Sequence, residues 1–468
     1  MMNMQKRFEN EKFTESLKQW RGLFMLFTLA VLFFTADFGY TANPWSTPSD
    51  QIPAKPQQRP IALIGGTIHP ISGPDIANGT ILFDKGKITA IGTNVSLPPN
   101  VEKINLTGKH VYPGMIETNS QLGLMEIDAV RATVDVSEAG SINPNARAEV
   151  AVNPESERIP VTRVNGVLIA HIVPRGGLFS GRSAAMMLDG WTWEDMTLQA
   201  PVGIIVNWPR MTVTRAPWTQ QSEEEQKKQI DQQLKNLKYA FSEARAYALT
   251  KKAEAQRDVA YHPFDARWEA LRPVFDSSMP VFVNANEIKQ IQAAVDWAAQ
   301  ENIKIVIVGG KDSWRVAELL KRKDIPVIAG PVHDTPTRDW EAYDAAFTVA
   351  RKLHEAGVRF SISGGSDSGN DRNLPYQAAT AAAFGLPHDE ALKAITLYPA
   401  QILGIADRVG SLEIGKDATL FVTNGDPLET FSTVERAYIQ GRAIDLTNRH
   451  RRLYEKYQEK YLQLQTAP

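Results

Sequence analysis

From residue 280 onward, short and mostly apolar runs alternate with longer stretches in which apolar residues recur every three or four positions. The runs are PVFV (280–283), IKIVIV (303–308), PVIAG (326–330) and VRFSIS (358–363). After the first, Ile288, Ile291, Val295 and Ala298 mark one face of a helix. Further helices are expected around 314–321, 343–355 and 375–384. Strands buried on both faces, each followed by an amphipathic helix, are the pattern of parallel βαβ units.

Toward the N-terminus the pattern is different. Strand-like runs at 61–64, 80–83, 87–91 and 102–106 are separated by glycine-containing turns, including Gly65-Gly66. Residues 127–159 contain Asn143-Pro144 and Asn153-Pro154 but no period, which suggests a long insertion. A helix-to-strand transition is expected over 161–173, with His171 in the apolar strand and read as a core histidine. Arg175-Gly176-Gly177 and Ser180-Gly181-Arg182 suggest turn-rich loops, whose arginines are either ordinary solvated charges or partners for an anion. Residues 222–257 carry Ile230, Leu234, Leu237, Phe241 and Ala244 at helical spacing, amid dense charge. Near the C-terminus, 391–406 and 410–422 precede a last hairpin at 434–444. Residues 447–468 form a charged helix or tail.

Residues 1–21 are polar with interspersed basic residues, and 22–36, GLFMLFTLAVLFFTA, is uninterrupted apolar sequence. That run is shorter than the ~20 residues of a comfortable membrane span, and its basic flank matches a targeting segment. Residues 1–42 therefore read as a signal peptide or an N-terminal anchor, followed by a linker at 43–60. The expected location is periplasmic, or on the outer face of the cytoplasmic membrane.

Composition narrows the chemistry. A net charge of −2 over 468 residues argues against a nucleic-acid partner, and the chain has no cysteine for a disulfide or thiolate site. None of the eight histidines forms an H-x-H, H-x3-H or HExxH pair, so no local metal chelate is encoded.

The stretch VYPGMIETNSQLGLME (111–126) delivers Glu117, Asn119 and Gln121 to one face of an extended backbone. It is similar to the first-strand motif of the amidohydrolase superfamily, P-G-[LFM]-[IV]-D-x-H-x-H, in which two histidines bind a divalent metal. Here Asn119 and Gln121 stand at the histidine positions and Glu117 at the aspartate position. The resemblance extends over roughly 60–446, including Ile64–Ile68, Asp84–Gly92, Thr396–Gly404 and Gly410–Phe421. It implies a (β/α)8 TIM-like barrel at 111–409. A small flanking β-sandwich would be built from both ends of the chain, 61–110 and 410–446, with the branch resembling the imidazolonepropionases.

The resemblance also implies a site. Relatives draw ligands for zinc or another divalent metal from several strand ends. At the matching positions this chain has Asn284 on strand 5, Gly309 or Gly310 on strand 6, and Gln199 as a candidate on strand 4. Asp367 lies near the strand-8 aspartate and is the candidate catalytic residue. Zinc favours imidazole, thiolate and carboxylate donors, whereas amide oxygens are poor ligands for it. No resident metal or cofactor is therefore expected. His333, after the seventh strand, is the expected polar anchor for a ligand.

The family's chemistry is hydrolysis of non-peptide C–N bonds in cyclic amides or related small molecules. Here the expected reading is a degenerate member that binds a small-molecule ligand, or pairs with an active paralogue. A working hydrolase with an unusual site and a structural subunit of a homo- or hetero-oligomer are the alternatives. Contact with membrane would run only through the N-terminal segment.

Overall fold

In the computed structural model, residues 51–466 are described, apart from 216–218, 257–259 and 366–367. The expected targeting segment at 1–42 and residues 43–50 of the expected linker lie outside the described residues. Among those that are described, no helix is long and apolar enough to cross a membrane. Residues 51–60 have no regular structure but are fastened down. Gln51 donates to the Thr447 carbonyl at 2.6 Å, and the Ala54 N–H to the Asp189 carboxylate at 3.2 Å.

Two eight-stranded sheets make up the body. The first contains β1 (Ile61–Ile68), β2 (Ile76–Asp84), β3 (Lys87–Gly92), β4 (Glu102–Asn105) and β5 (His110–Pro113) from the N-terminal side. The second contains β6 (Met115–Ser120), β7 (Val167–Ile172), β8 (Phe179–Met187), β9 (Thr197–Asn207), β10 (Val281–Ala285), β11 (Ile305–Gly309), β12 (Val327–Ala329) and β13 (Phe360–Ile362). The chain then returns to the first sheet with β14 (Leu420–Thr423), β15 (Val434–Ile439) and β16 (Arg442–Ala443). Antiparallel pairing of β14 with β5 joins the two ends of the chain, with Leu420 opposite Pro113 and Val422 opposite Val111. Strand alternation then sorts side chains by face. Leu420 and Val422 join Leu63, Phe83 and Tyr438 in a small core, while Phe421 and Tyr112 between them join the barrel's core.

The second sheet is a nearly closed (β/α)8 TIM-like barrel. β5 runs into β6 with only Gly114 between them, so the Pro113-Gly114 turn carries the backbone from the flanking sheet into the first barrel strand. The barrel departs from a strict βα repeat in its second quarter. β8 pairs antiparallel with both β7 and β9, whereas all the other neighbours are parallel. Residues 180–182, expected as loop, therefore lie within β8. Arg182 is half-buried there and donates to the Asn145 carbonyl at 3.2 Å. Turn-type residues mislead at this point because a fully paired central strand supplies the burial that the local sequence does not advertise.

The 127–159 insertion contains short 3-10 turns and, at its end, the start of a helix at Arg158–Arg163, and it lies along β8, where the Arg182 N–H donates to the Ala146 carbonyl at 2.8 Å. The long helix is present at Glu223–Ala255, with a Ser222/Glu225 capping box at its start. Of the helix expected over 343–355, only Val349–Ala356 forms, and 331–348 is irregular.

Inside the barrel, the His171 ring lies 4.9 Å from that of Phe282. Phe282 in turn occupies the space beside Gly203, where an added Cβ would sit 2.3 Å from its ring. Glycine at 203 is what admits the phenylalanine.

Candidate functional site

The positions singled out by the sequence fall at the strand ends of this barrel, and the structure shows what each side chain does there. Glu117 is fully buried and works at the seam between the first and last barrel strands, β6 and β13. Its carboxylate accepts from the Ser363 hydroxyl at 2.6 Å, the Gly364 N–H at 2.8 Å and the Asn119 N–H at 3.0 Å. Burial pushes its pKa above the usual carboxylate range, and these three donors oppose the shift. Glu117 thus closes the barrel.

Asn119 is half-buried at the end of β6. Gln121 follows it, fully buried, and among the described residues neither its amide oxygen nor its amide nitrogen has a hydrogen-bond partner. Asn284, at the end of β10, donates through Nδ2 to Oδ1 of Asn207 at 2.7 Å. Asn207 passes the chain on to the Gly177 carbonyl at 2.8 Å and the Ser180 hydroxyl at 2.9 Å. Asn284 is therefore engaged along the barrel wall.

Asn207 is a strand-end residue that the sequence reading missed. The signal was available, because GIIVN (203–207) and VFVN (281–284) are both apolar runs ending in asparagine. Gln199, the strand-4 candidate, lies toward the opposite end of β9 from Asn207 and is exposed, which rules it out of this mouth.

At the strand-6 position, Gly309 has a φ of +89°, and an added Cβ would lie 2.4 Å from the Asn286 side chain. The next residue, Gly310, has a φ of +56°. This backbone is shaped for glycine, so the position could not present an imidazole without strain.

His171 is a satisfied core histidine. Nδ1 lies 2.8 Å from the Thr118 carbonyl, which can only accept, so this nitrogen carries the proton. Nε2 then accepts from the Ser183 hydroxyl at 2.7 Å. Burial lowers the pKa to about 4, leaving the ring neutral at neutral pH with both nitrogens engaged. His333 is exposed rather than turned inward. Its Nε2 lies 2.7 Å from the Thr380 hydroxyl, and its backbone N–H donates to Gln377 at 2.8 Å.

Asp367 lies outside the described residues. Its neighbour in the same loop, Asp371, is fully buried and accepts from the Ser120 hydroxyl at 2.5 Å, tying the end of β6 to the segment after β13. The motif SGGSDSGND carries both aspartates, and the sequence alone did not single out the second.

A transition metal does not fit this donor set. Among the described residues, three amides, a glycine shaped by its backbone and a carboxylate occupied by three donors offer no imidazole and no free anion. Among the described residues, no three His, Asp or Glu side chains are grouped to hold a metal ion.

Residues 298–442 match the family model described as "Amidohydrolase family". The chain is 24% identical over 404 residues to amidohydrolase tasK of Hapsidospora irregularis, covering 78% of this chain and 40% of that one. A crystal structure of an amidohydrolase from Thermotoga maritima MSB8 superposes with a TM-score of 0.73 at 26% identity. That match covers 82% of this chain and 99% of the other. This chain belongs to the amidohydrolase superfamily.

A shorter match, 42% identical over 62 residues, is to N-acetylglucosamine-6-phosphate deacetylase of Danio rerio, covering 13% of this chain and 14% of that one. The chain spans less than half the length of the curated relatives it matches. Within the superfamily it keeps the frame of the first-strand motif, while Glu117 and Asn284 at the strand ends serve the barrel's own hydrogen bonding.

Proposed function

We propose that this amidohydrolase-superfamily chain has lost metal-dependent hydrolysis of C–N bonds and acts by binding a small-molecule ligand or an active paralogue. The observation that carries the reading is the use of the strand-end positions. Glu117 closes the seam, Asn284 is bonded to Asn207, and Gly309 has a backbone that excludes histidine. A metal centre there would need anionic or imidazole donors free to converge. The apolar run at 22–36 behind a basic flank supports export, with the barrel outside the cytoplasmic membrane.

Zinc titration by calorimetry tests the central claim on two proteins, the parent and a variant carrying Asn119→His, Gln121→His and Asn284→His. The parent should show no stoichiometric binding. The variant should gain measurable affinity, held below that of a natural site because Gly309 supplies no ligand and no second layer of residues orients the new imidazoles. Tight stoichiometric zinc in the parent would overturn the reading.

A further inference from the structure

Beyond the strand-end positions, a cavity of about 260 Å³ opens between the loops that follow β11 and β12 and reaches Gly309 and Gly330 at the strand ends. For scale, a cavity of about 150 Å³ is enough to hold benzene. Its walls combine Trp314 and Trp340 with Pro331, Pro336 and Val349.

The charges around it are mostly spoken for. Lys311 pairs with Asp334 at 2.6 Å, and Arg338 reaches both Asp312 at 2.7 Å and Glu341 at 2.8 Å. Arg315 lies 3.6 Å from Asp312, with its guanidinium 4.6 Å from the centre of the Trp340 ring. Two lining charges remain without an oppositely charged partner at contact distance among the described residues, Lys352 and Asp344. The Lys352 ammonium sits 4.0 Å over the Trp314 ring. Burial, then Arg351 and Arg315, lower its pKa, and Asp344 and Glu355 only partly offset them. Arg351 and Glu355 satisfy each other at 3.0 Å. An apolar-walled cavity with one free charge of each sign complements a ligand that carries both signs on an apolar body.

We propose that this cavity binds a small apolar zwitterion of the amino-acid type, its carboxylate meeting Lys352 and its ammonium meeting Asp344. The cavity meets the former ligand positions only at Gly309, which contributes no side chain, and neither Lys352 nor Asp344 is one of them, so this binding and the zinc titration are read separately.

Three probes of similar shape test it by calorimetry on the full chain: L-phenylalanine, 3-phenylpropionate and 2-phenylethylamine. L-Phenylalanine should bind at least roughly tenfold more tightly than either singly charged probe, the scale of one charge-assisted hydrogen bond. Lys352→Gln should bring L-phenylalanine down to the affinity of the amine, and Asp344→Asn to that of the acid. Both residues lie on the cavity wall outside the buried core, and a thermal melt matching the parent checks each fold. Equal affinity for the three probes, no binding of any, or L-phenylalanine binding unchanged in either variant would overturn the proposal.

Discussion

Histidine 171 offers a direct measure of the energy stored in the barrel interior. Folding buries its ring and lowers the pKa to about 4, against 6.5 for the free side chain. The unfolded chain therefore takes up a proton as pH falls below 6.5, while the folded chain does not until near 4. Stability from this group is complete above 6.5 and is lost as pH falls through that window. At pH 5 the imbalance corresponds to about 2 kcal/mol, rising to roughly 3 kcal/mol below pH 4, from the linkage relation at 1.36 kcal/mol per pKa unit. The comparison is made against His171→Gln, whose amide can still donate to the Thr118 carbonyl and accept from Ser183. Urea denaturation of both proteins at pH 8 and pH 5 gives the result. The parent should lose about 2 kcal/mol more than the variant between the two pH values. Glu117, with its raised pKa, contributes in the opposite sense, losing stability as pH rises, and it cancels because both proteins contain it. Equal losses in parent and variant would mean that the ring is charged or solvated inside the barrel, and the assignment of its two hydrogen bonds would be wrong.

The seam makes a second prediction. Glu117→Ala would leave the Ser363 hydroxyl and the Gly364 and Asn119 N–H groups without their acceptor, at roughly 1–3 kcal/mol for each buried group left unpaired. The total expected loss is about 3–9 kcal/mol in urea denaturation, and a loss under about 1 kcal/mol would remove Glu117 from its role in closure. At the strand-6 position, Gly309→Ala should destabilise by roughly 1–2 kcal/mol through its left-handed backbone, because the Asn286 amide can rotate aside. A thermal melt indistinguishable from the parent's would show that this backbone relaxes freely.

Local pattern carried the barrel's second half. The runs at 280–283, 303–308 and 326–330 are apolar on both faces and separated by helical periodicity, and that combination leaves a parallel sheet as the way to bury them. The frame around Pro113-Gly114 marked the first strand for the same reason, since a turn between two apolar segments fixes where polar side chains emerge. Sequence also sufficed to find amides at Asn119, Gln121 and Asn284, because donor chemistry is a property of residue type. Partnership is not, and only the tertiary structure decided it. Glu117 reads as a free carboxylate until β13 arrives from 246 residues away with Ser363. Asn284 reads as a strand-end donor until β9 places Asn207 beside it. β8 was hidden because its burial comes from antiparallel partners on both sides rather than from its own Ser, Gly and Arg residues. The free charges of Lys352 and Asp344 emerge only when every neighbouring ion pair has been formed, since electrostatic pairing depends on distances between chain segments that no local pattern encodes.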